Sequence, residues 1–310
     1  MNPASLVRLI ALAALWGGSF LFMRMLVPVL GAVPTAFGRV ALAAVGLMAL
    51  VAVARLRPAS AFQGKLGAAL VLGVVNSGIP FLMFALAARA LPAGYSAVLN
   101  ATTPLMGVLI GALAFGERIT AVRLGGVVLG MAGVAVLAQT GPVAPTPAVL
   151  GGIAACLVAT ACYGAAGFLT RRWITARGGL DSRLVALGSQ WGAVLALAPF
   201  AAWEVVRNPG LPATWWAAPP AVWAALAAMG LLCTAFAYVL YFRLIADVGP
   251  VKALTVTFLV PLFGVAWGWL VLGEVVTGAH AAGGGLIACA LWLVLRPVPA
   301  APAPSSAARS

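Results

Sequence analysis

Residues 73–130 recur, in motif and in spacing, at residues 230–287, an offset of 157. Gly73 and Ser77 return as Gly230 and Thr234, and Phe81 and Phe84 as Tyr238 and Tyr241. Pro104, Gly107 and Gly111 return as Pro261, Gly264 and Gly268, and the pair Gly116-Glu117 as Gly273-Glu274. A looser echo joins the starts of the two copies, Trp16-Gly17 against Tyr163-Gly164. The chain around these landmarks is 64% hydrophobic and only 7% charged, which no soluble domain matches. Its apolar stretches run to about 20 residues, the length that crosses a bilayer core. They fall near 5–26, 33–54, 65–88, 93–115, 121–139, 149–170, 184–206, 220–244, 251–272 and 278–295.

The fold class that follows is all-α integral membrane, with ten transmembrane helices in two five-helix repeats. Residues 1–140 form the first repeat and 149–296 the second. The uncharged, proline-rich stretch 141–148 is the loop between them, and 297–310, rich in Pro, Ala and Ser, reads as a disordered cytoplasmic tail. Five is odd, so the second repeat enters the membrane from the opposite side. Inverted repeats in a membrane suggest a transporter whose site lies between the halves.

The net charge of +13 invites a nucleic-acid partner, but its distribution argues against one. With the N-terminus inside, 14 of the 18 Lys and Arg fall in cytoplasmic segments, and the outer loops carry only Arg89 and Arg207. That is the positive-inside asymmetry. It places both termini in the cytoplasm and makes the basic residues a topology signal, with contact to membrane lipid, rather than a phosphate footprint. The four cysteines lie within spans, in no metal-ligand spacing with the single His280, so neither a metal nor another cofactor is expected.

The five acids, Glu117, Asp181, Glu204, Asp247 and Glu274, all fall at helix ends or in loops. A carboxylate in mid-membrane is the usual proton or cation relay. Its absence disfavours carboxylate-mediated antiport and leaves facilitated, gradient-driven flux as the simpler reading. Glu117 and Glu274 each stand just before a threonine, Thr120 or Thr277, that can cap the next helix, where an acid complements the helix dipole. Arg39 lies about one and a half turns inside the second span. Either it snorkels to headgroups, or its planar fork receives a substrate carboxylate. Arg24, near the outer end of the first span, reads as a cap or a snorkelling side chain.

Polar groups gather near mid-span: Asn76 and Ser77 before Pro80, Asn100 and Thr103 before Pro104, Thr255 and Thr257 before Pro261. Proline frees the carbonyl four residues back, and in a transporter such a carbonyl can line a cavity. Ser19, Gln190 and Thr234 add polar groups in other spans, and Trp16, Phe81, Tyr95, Tyr163, Tyr238 and Tyr241 supply aromatic walls. Each is a candidate for substrate contact, and each has a bland alternative in interhelical hydrogen bonding or core packing. The pairs Gly107/Gly111 and Gly264/Gly268 are close-packing faces, on which the halves cross or rock, or through which two copies meet.

These motifs resemble the EamA family of the drug/metabolite transporter superfamily. The resemblance is carried by Trp16-Gly17, by Ala36-Phe37-Gly38-Arg39, and by the two proline-to-Gly-Glu stretches ending at Glu117 and Glu274, and covers about residues 5–295. It implies an inner-membrane exporter of small metabolites, often amino acids, and within the family it is most similar to YddG-type exporters. The expected protein is a monomer or weak homodimer working by alternating access, with a small-molecule substrate between helices 1–4 and 6–9, and helices 5 and 10 as supports. A sugar-phosphate or nucleotide-related carrier would need several mid-span cations. An intramembrane enzyme would need paired acids or a Ser–His arrangement, and a non-transporting sensor would not need symmetric polar clusters.

Overall fold

The structure, a computed structural model, describes residues 3–56, 61–117, 119–140, 143–248 and 256–295. The expected tail at 297–310 and Thr255 lie outside the described residues. The first repeat holds α1 (Pro3–Leu30), α2 (Ala32–Val53), α3 (Leu66–Gly73, Val74–Gly78 and Ile79–Ala87 in unbroken succession), α4a (Ala93–Asn100), α4b (Thr103–Phe115) and α5 (Ala121–Thr140). The second holds α6 (Pro147–Trp173), α7 (Ser182–Arg207), α8 (Pro220–Ala227, Ala228–Phe236 and Ala237–Val248), α9 (Val256–Leu272) and α10 (Gly278–Leu295). Among the described residues, seven helices are long and apolar enough to cross a membrane, the bent pair α4a/α4b makes an eighth span, and α9 and α10 are shorter apolar helices. The fold is the all-α membrane arrangement in two five-helix repeats that the sequence implies. Outward positions bear the mark of lipid: Leu113 is 83% exposed.

Three local features depart from plain helices. The span expected as continuous over 93–115 bends by 42° between α4a and α4b. Pro104 has no N–H to give the Asn100 carbonyl, and the Thr103 hydroxyl donates to that carbonyl instead, at 2.7 Å. In α3 the segment Val74–Gly78 is π-helical, as is Ala228–Phe236 in α8. These stretches match under the 157 offset, and π-helical turns concentrate at functional sites. In α8 the Thr234 hydroxyl donates to the Met229 carbonyl at 2.9 Å. A short helix, Leu211–Trp216, precedes α8 and was not legible in the sequence. Its Trp215 Nε1 donates to the Leu30 carbonyl at 3.3 Å, while Trp216 is exposed.

The duplicated glycines bring the repeats together in matched pairs. A Cβ on Gly17 of α1 would stand 2.8 Å from the Gly264 nitrogen of α9, and one on Gly164 of α6 would stand 2.8 Å from the Gly107 nitrogen of α4b. Thus α1 lies on α9 as α6 lies on α4b, backbone close to backbone. α5 and α10 make the most extensive helix–helix contact and pack on each other, with Gly133 and Gly283 face to face. The helix ends match too. Gly116 (φ 68°) and Gly273 (φ 66°) take the left-handed conformation, and the next residue donates its N–H to a carbonyl six back: Glu117 to Gly111 at 2.9 Å, Glu274 to Gly268 at 3.1 Å. The same C-terminal cap thus closes both Gly-Glu stretches.

Candidate functional site

A cavity of about 290 Å³ lies between the repeats, walled by residues of α1–α4 and α6, α8 and α9. The helices of one repeat alone cannot enclose it. Trp16, Ser19, Arg39, Asn76, Phe81, Asn100, Thr103, Tyr163, Thr234, Tyr238, Tyr241 and Thr257 all line it. Most of its wall comes as repeat-related pairs: Trp16 with Tyr163, Asn76 with Cys233, Phe81 with Tyr238, Phe84 with Tyr241, Asn100 with Thr257, and Thr103 with Val260.

Arg39 supplies the only formal charge among the described residues that line the cavity. It is 5% exposed, so its guanidinium is held by protein rather than by headgroups. Nε donates to Thr234 Oγ1 at 3.0 Å and Nη2 to Ser19 Oγ at 3.1 Å, and the guanidinium carbon sits 3.6 Å from the centroid of the Phe81 ring. Stacking on a ring face attracts a cation and keeps the fork planar to its neighbours. Neither hydrogen bond uses Nη1. Asn76 Nδ2 donates to Tyr238 Oη at 3.4 Å on the π-helical wall. Trp16 and Tyr241 rings meet at 5.3 Å, and Phe84 bridges Phe20 at 5.2 Å and Tyr163 at 6.3 Å.

Ser77, Tyr95 and Gln190 do not line the cavity. Ser77 is one residue, about 100° of helix, from Asn76; it stands behind the cavity-lining Tyr238 and turns to α7. There it accepts from Gln190 Nε2 at 3.0 Å and meets Ser189 Oγ at 3.4 Å, all three buried. Tyr95 stands five residues before Asn100, on a different face of α4a. It is fully buried, with its ring edge-on to His280 at 6.5 Å. Phe20, Met23, Cys233 and Val260 line the cavity without having been singled out as substrate contacts, and Phe84 lines it beside Phe81, as their shared helical face allows. Helical spacing carried a signal for some of them: Met23 follows Ser19 by four and Phe84 follows Phe81 by three.

Every acid in the chain stands elsewhere. Asp247 pairs with Arg8 and, at 3.6 Å, with Arg243; Glu117 pairs with Arg171 at 3.0 Å. Asp181 caps α7 and binds Arg183 at 2.7 Å, and that guanidinium holds its carboxyl below the usual carboxylate range. Glu204 sits in the last turn of α7 beside Gly31. Glu274 corrects the sequence reading. Its carboxylate serves not the next helix but the first turn of α4a, accepting from Ala93 N at 2.7 Å and Gly94 N at 3.1 Å. It fits because Gly268 has no Cβ, which would overlap Glu274 Oε2. The first turn of α10 is closed by Thr277 and His280 instead, the Thr277 N–H reaching His280 Nδ1 at 3.2 Å. Arg24 donates to the Ala88 carbonyl at 2.6 Å, capping the end of α3.

A second cleft, of about 360 Å³, opens between α2, α7 and α8. Its lining is almost wholly apolar, so it offers little to orient a polar substrate.

The sequence pattern of the EamA-like transporter family matches this chain twice, over residues 4–139 and 150–296. A solved structure, described as the crystal structure of a protein, superposes with a TM-score of 0.59 at 18% identity, covering 94% of this chain and 96% of its own; at that identity the likeness is one of fold. No curated protein matches in sequence.

Proposed function

Because this chain belongs to the EamA-like transporter family, a family of multi-pass membrane transporters of small molecules, we propose that it exports carboxylate-bearing metabolites of the amino-acid class by alternating access. The observation that carries this reading is Arg39, the one charged side chain on a cavity shared by both repeats, with its fork braced by Ser19, Thr234 and Phe81. A guanidinium so braced presents a remaining edge to a carboxylate at little further cost in ordering. The aromatic wall takes the apolar part of the substrate, and Asn100, Asn76 and Thr257 take its polar groups. A phosphorylated substrate calls for more cations than one.

The basic residues orient the chain in the inner membrane with both termini in the cytoplasm, so that Arg8 and Asp247 stand at the cytoplasmic end. No acid lines the path, so flux runs down the substrate gradient without a proton. In proteoliposomes, labelled substrate moves with no imposed pH difference, and Arg39→Lys lowers the flux, because an ammonium keeps the charge but loses the fork. Flux that vanishes without a proton gradient would overturn the facilitated mode. Equal flux by wild type and Arg39→Lys would overturn the carboxylate anchor.

A further inference from the structure

The cavity is unbalanced in charge. It holds one guanidinium and no carboxylate, and all five acids of the chain are committed at helix ends or in loops. A free amino acid brings two charges into this space. Its carboxylate finds Arg39. Its ammonium finds only neutral oxygens and ring faces, and stands within the reach of a cation already in place. Desolvating a charge without an opposite partner is unfavourable, and like charges across a dry cavity repel far more than in water. The ring faces offer partial relief, but Phe81 is already occupied by Arg39 itself.

We infer that the site selects its substrate as a net monoanion: a carboxylate on an apolar or aromatic body whose amino group is absent or neutralised, as in deaminated or N-acylated amino acids. This rests on the reading of Arg39 as the carboxylate anchor. Substrate and site then sum to zero charge, and no second ion is needed in the loaded cavity.

The test compares each amino acid with its own deaminated skeleton, which removes the ammonium and adds no bulk. Phenylalanine is set against 3-phenylpropanoate, and leucine against 4-methylpentanoate. Binding to the full-length protein in detergent is measured calorimetrically at neutral pH. The deaminated acid of a pair binds about tenfold tighter or more, and phenylalanine amide, a cation without a carboxylate, binds at least as weakly as phenylalanine. Placing an acid in the wall with Asn100→Asp narrows or reverses the preference. Arg39→Gln weakens both members of each pair. Amino acids that bind as tightly as their deaminated partners, with both still weakened by Arg39→Gln, would overturn the monoanion inference and leave the anchor standing. Binding by both that is indifferent to Arg39→Gln, or no binding by any pair, would overturn the anchor and this inference with it.

Discussion

The contact of α2 with α8 and that of α7 with α3 are built alike and end differently. In the first, Gly230 lies against the Arg39 carbonyl; in the second, its counterpart Gly73 lies against the Ser189 carbonyl. In the first, Thr234 accepts from Arg39; in the second, its counterpart Ser77 meets Ser189 and Gln190. Both sit on π-helical stretches that correspond between the repeats. Yet one contact delivers a guanidinium to the cavity wall, and the other closes into a neutral, fully buried cluster. The duplication supplies a symmetric packing surface, and single residues decide which half sends a charged side chain to the cavity wall. The serine and the amide nitrogen pair locally, leaving only the neutral Gln190 Oε1 without a partner among the described residues. A longer, obligately charged side chain meets two hydroxyls and a ring, with Nη1 outside both hydrogen bonds.

Four pairs of substitutions break or sharpen that comparison, each setting one repeat against the other. The largest effect is expected at the glycines. A side chain at Gly73 would overlap the Ser189 backbone oxygen, whereas at Gly230 it would meet Leu42 Cβ at 2.6 Å and the Arg39 oxygen at 3.0 Å. Gly73→Leu is therefore expected to destabilise by about 3 kcal/mol or more, and Gly230→Ala by about 1–2 kcal/mol, read from thermal unfolding in detergent. Equal, small effects at both would mean that these helices are not in tight register.

Next come the polar partners. Arg39→Gln should weaken carboxylate binding by about 2–3 kcal/mol, the scale of a charge-assisted hydrogen bond. Gln190→Leu should leave binding unchanged and alter stability by within about 1 kcal/mol, since Ser77 keeps Ser189 and the substitution removes a buried amide oxygen that lacks a partner among the described residues. A binding defect in Gln190→Leu would show that the buried cluster communicates with the cavity.

Asn100 and Thr257 correspond under the repeat and both line the cavity. Asn100→Ala removes two amide functions and should lower affinity by about 1–2 kcal/mol; Thr257→Val removes one hydroxyl and should lower it by about 1 kcal/mol or less. The reverse ranking would move the polar end of the substrate from α4 to α9.

The smallest effects separate the twin glutamates. Glu274→Gln loses charge on two backbone N–H groups at the start of α4a and should cost about 1 kcal/mol of stability. Glu117→Gln loses an exposed pair with Arg171, and solvent screening keeps that below about 0.5 kcal/mol. Thermal unfolding at low and high salt distinguishes them, because only the exposed pair is strongly screened.

Much of the site was legible because repeat symmetry and helical spacing act through the chain itself. Trp16, Tyr163, Phe81 and Tyr238 could be paired from the sequence, and each pair meets at the cavity. Ser77 and Gln190 could not be assigned in that way. Both are polar and mid-span, and only the direction in which α3 and α7 face each other turns them inward to one another. Tyr95 shows the same limit: five residues from Asn100, it points elsewhere by helical rotation.

The sequence by itself determined the fold class, since backbone groups in lipid must find partners within their own helices, and apolar length then counts spans directly. It determined the inversion, because five is odd; the left-handed glycine caps at Gly116 and Gly273 were seen only in the structure. Tertiary structure decided which of two equivalent helices lends its side chain to the cavity, that Glu274 crosses to α4a rather than serving α10, and that Arg39 is braced rather than snorkelled. Those outcomes depend on distances between segments remote in the chain. They are fixed when glycine faces let backbones approach and leave each longer side chain one place to go.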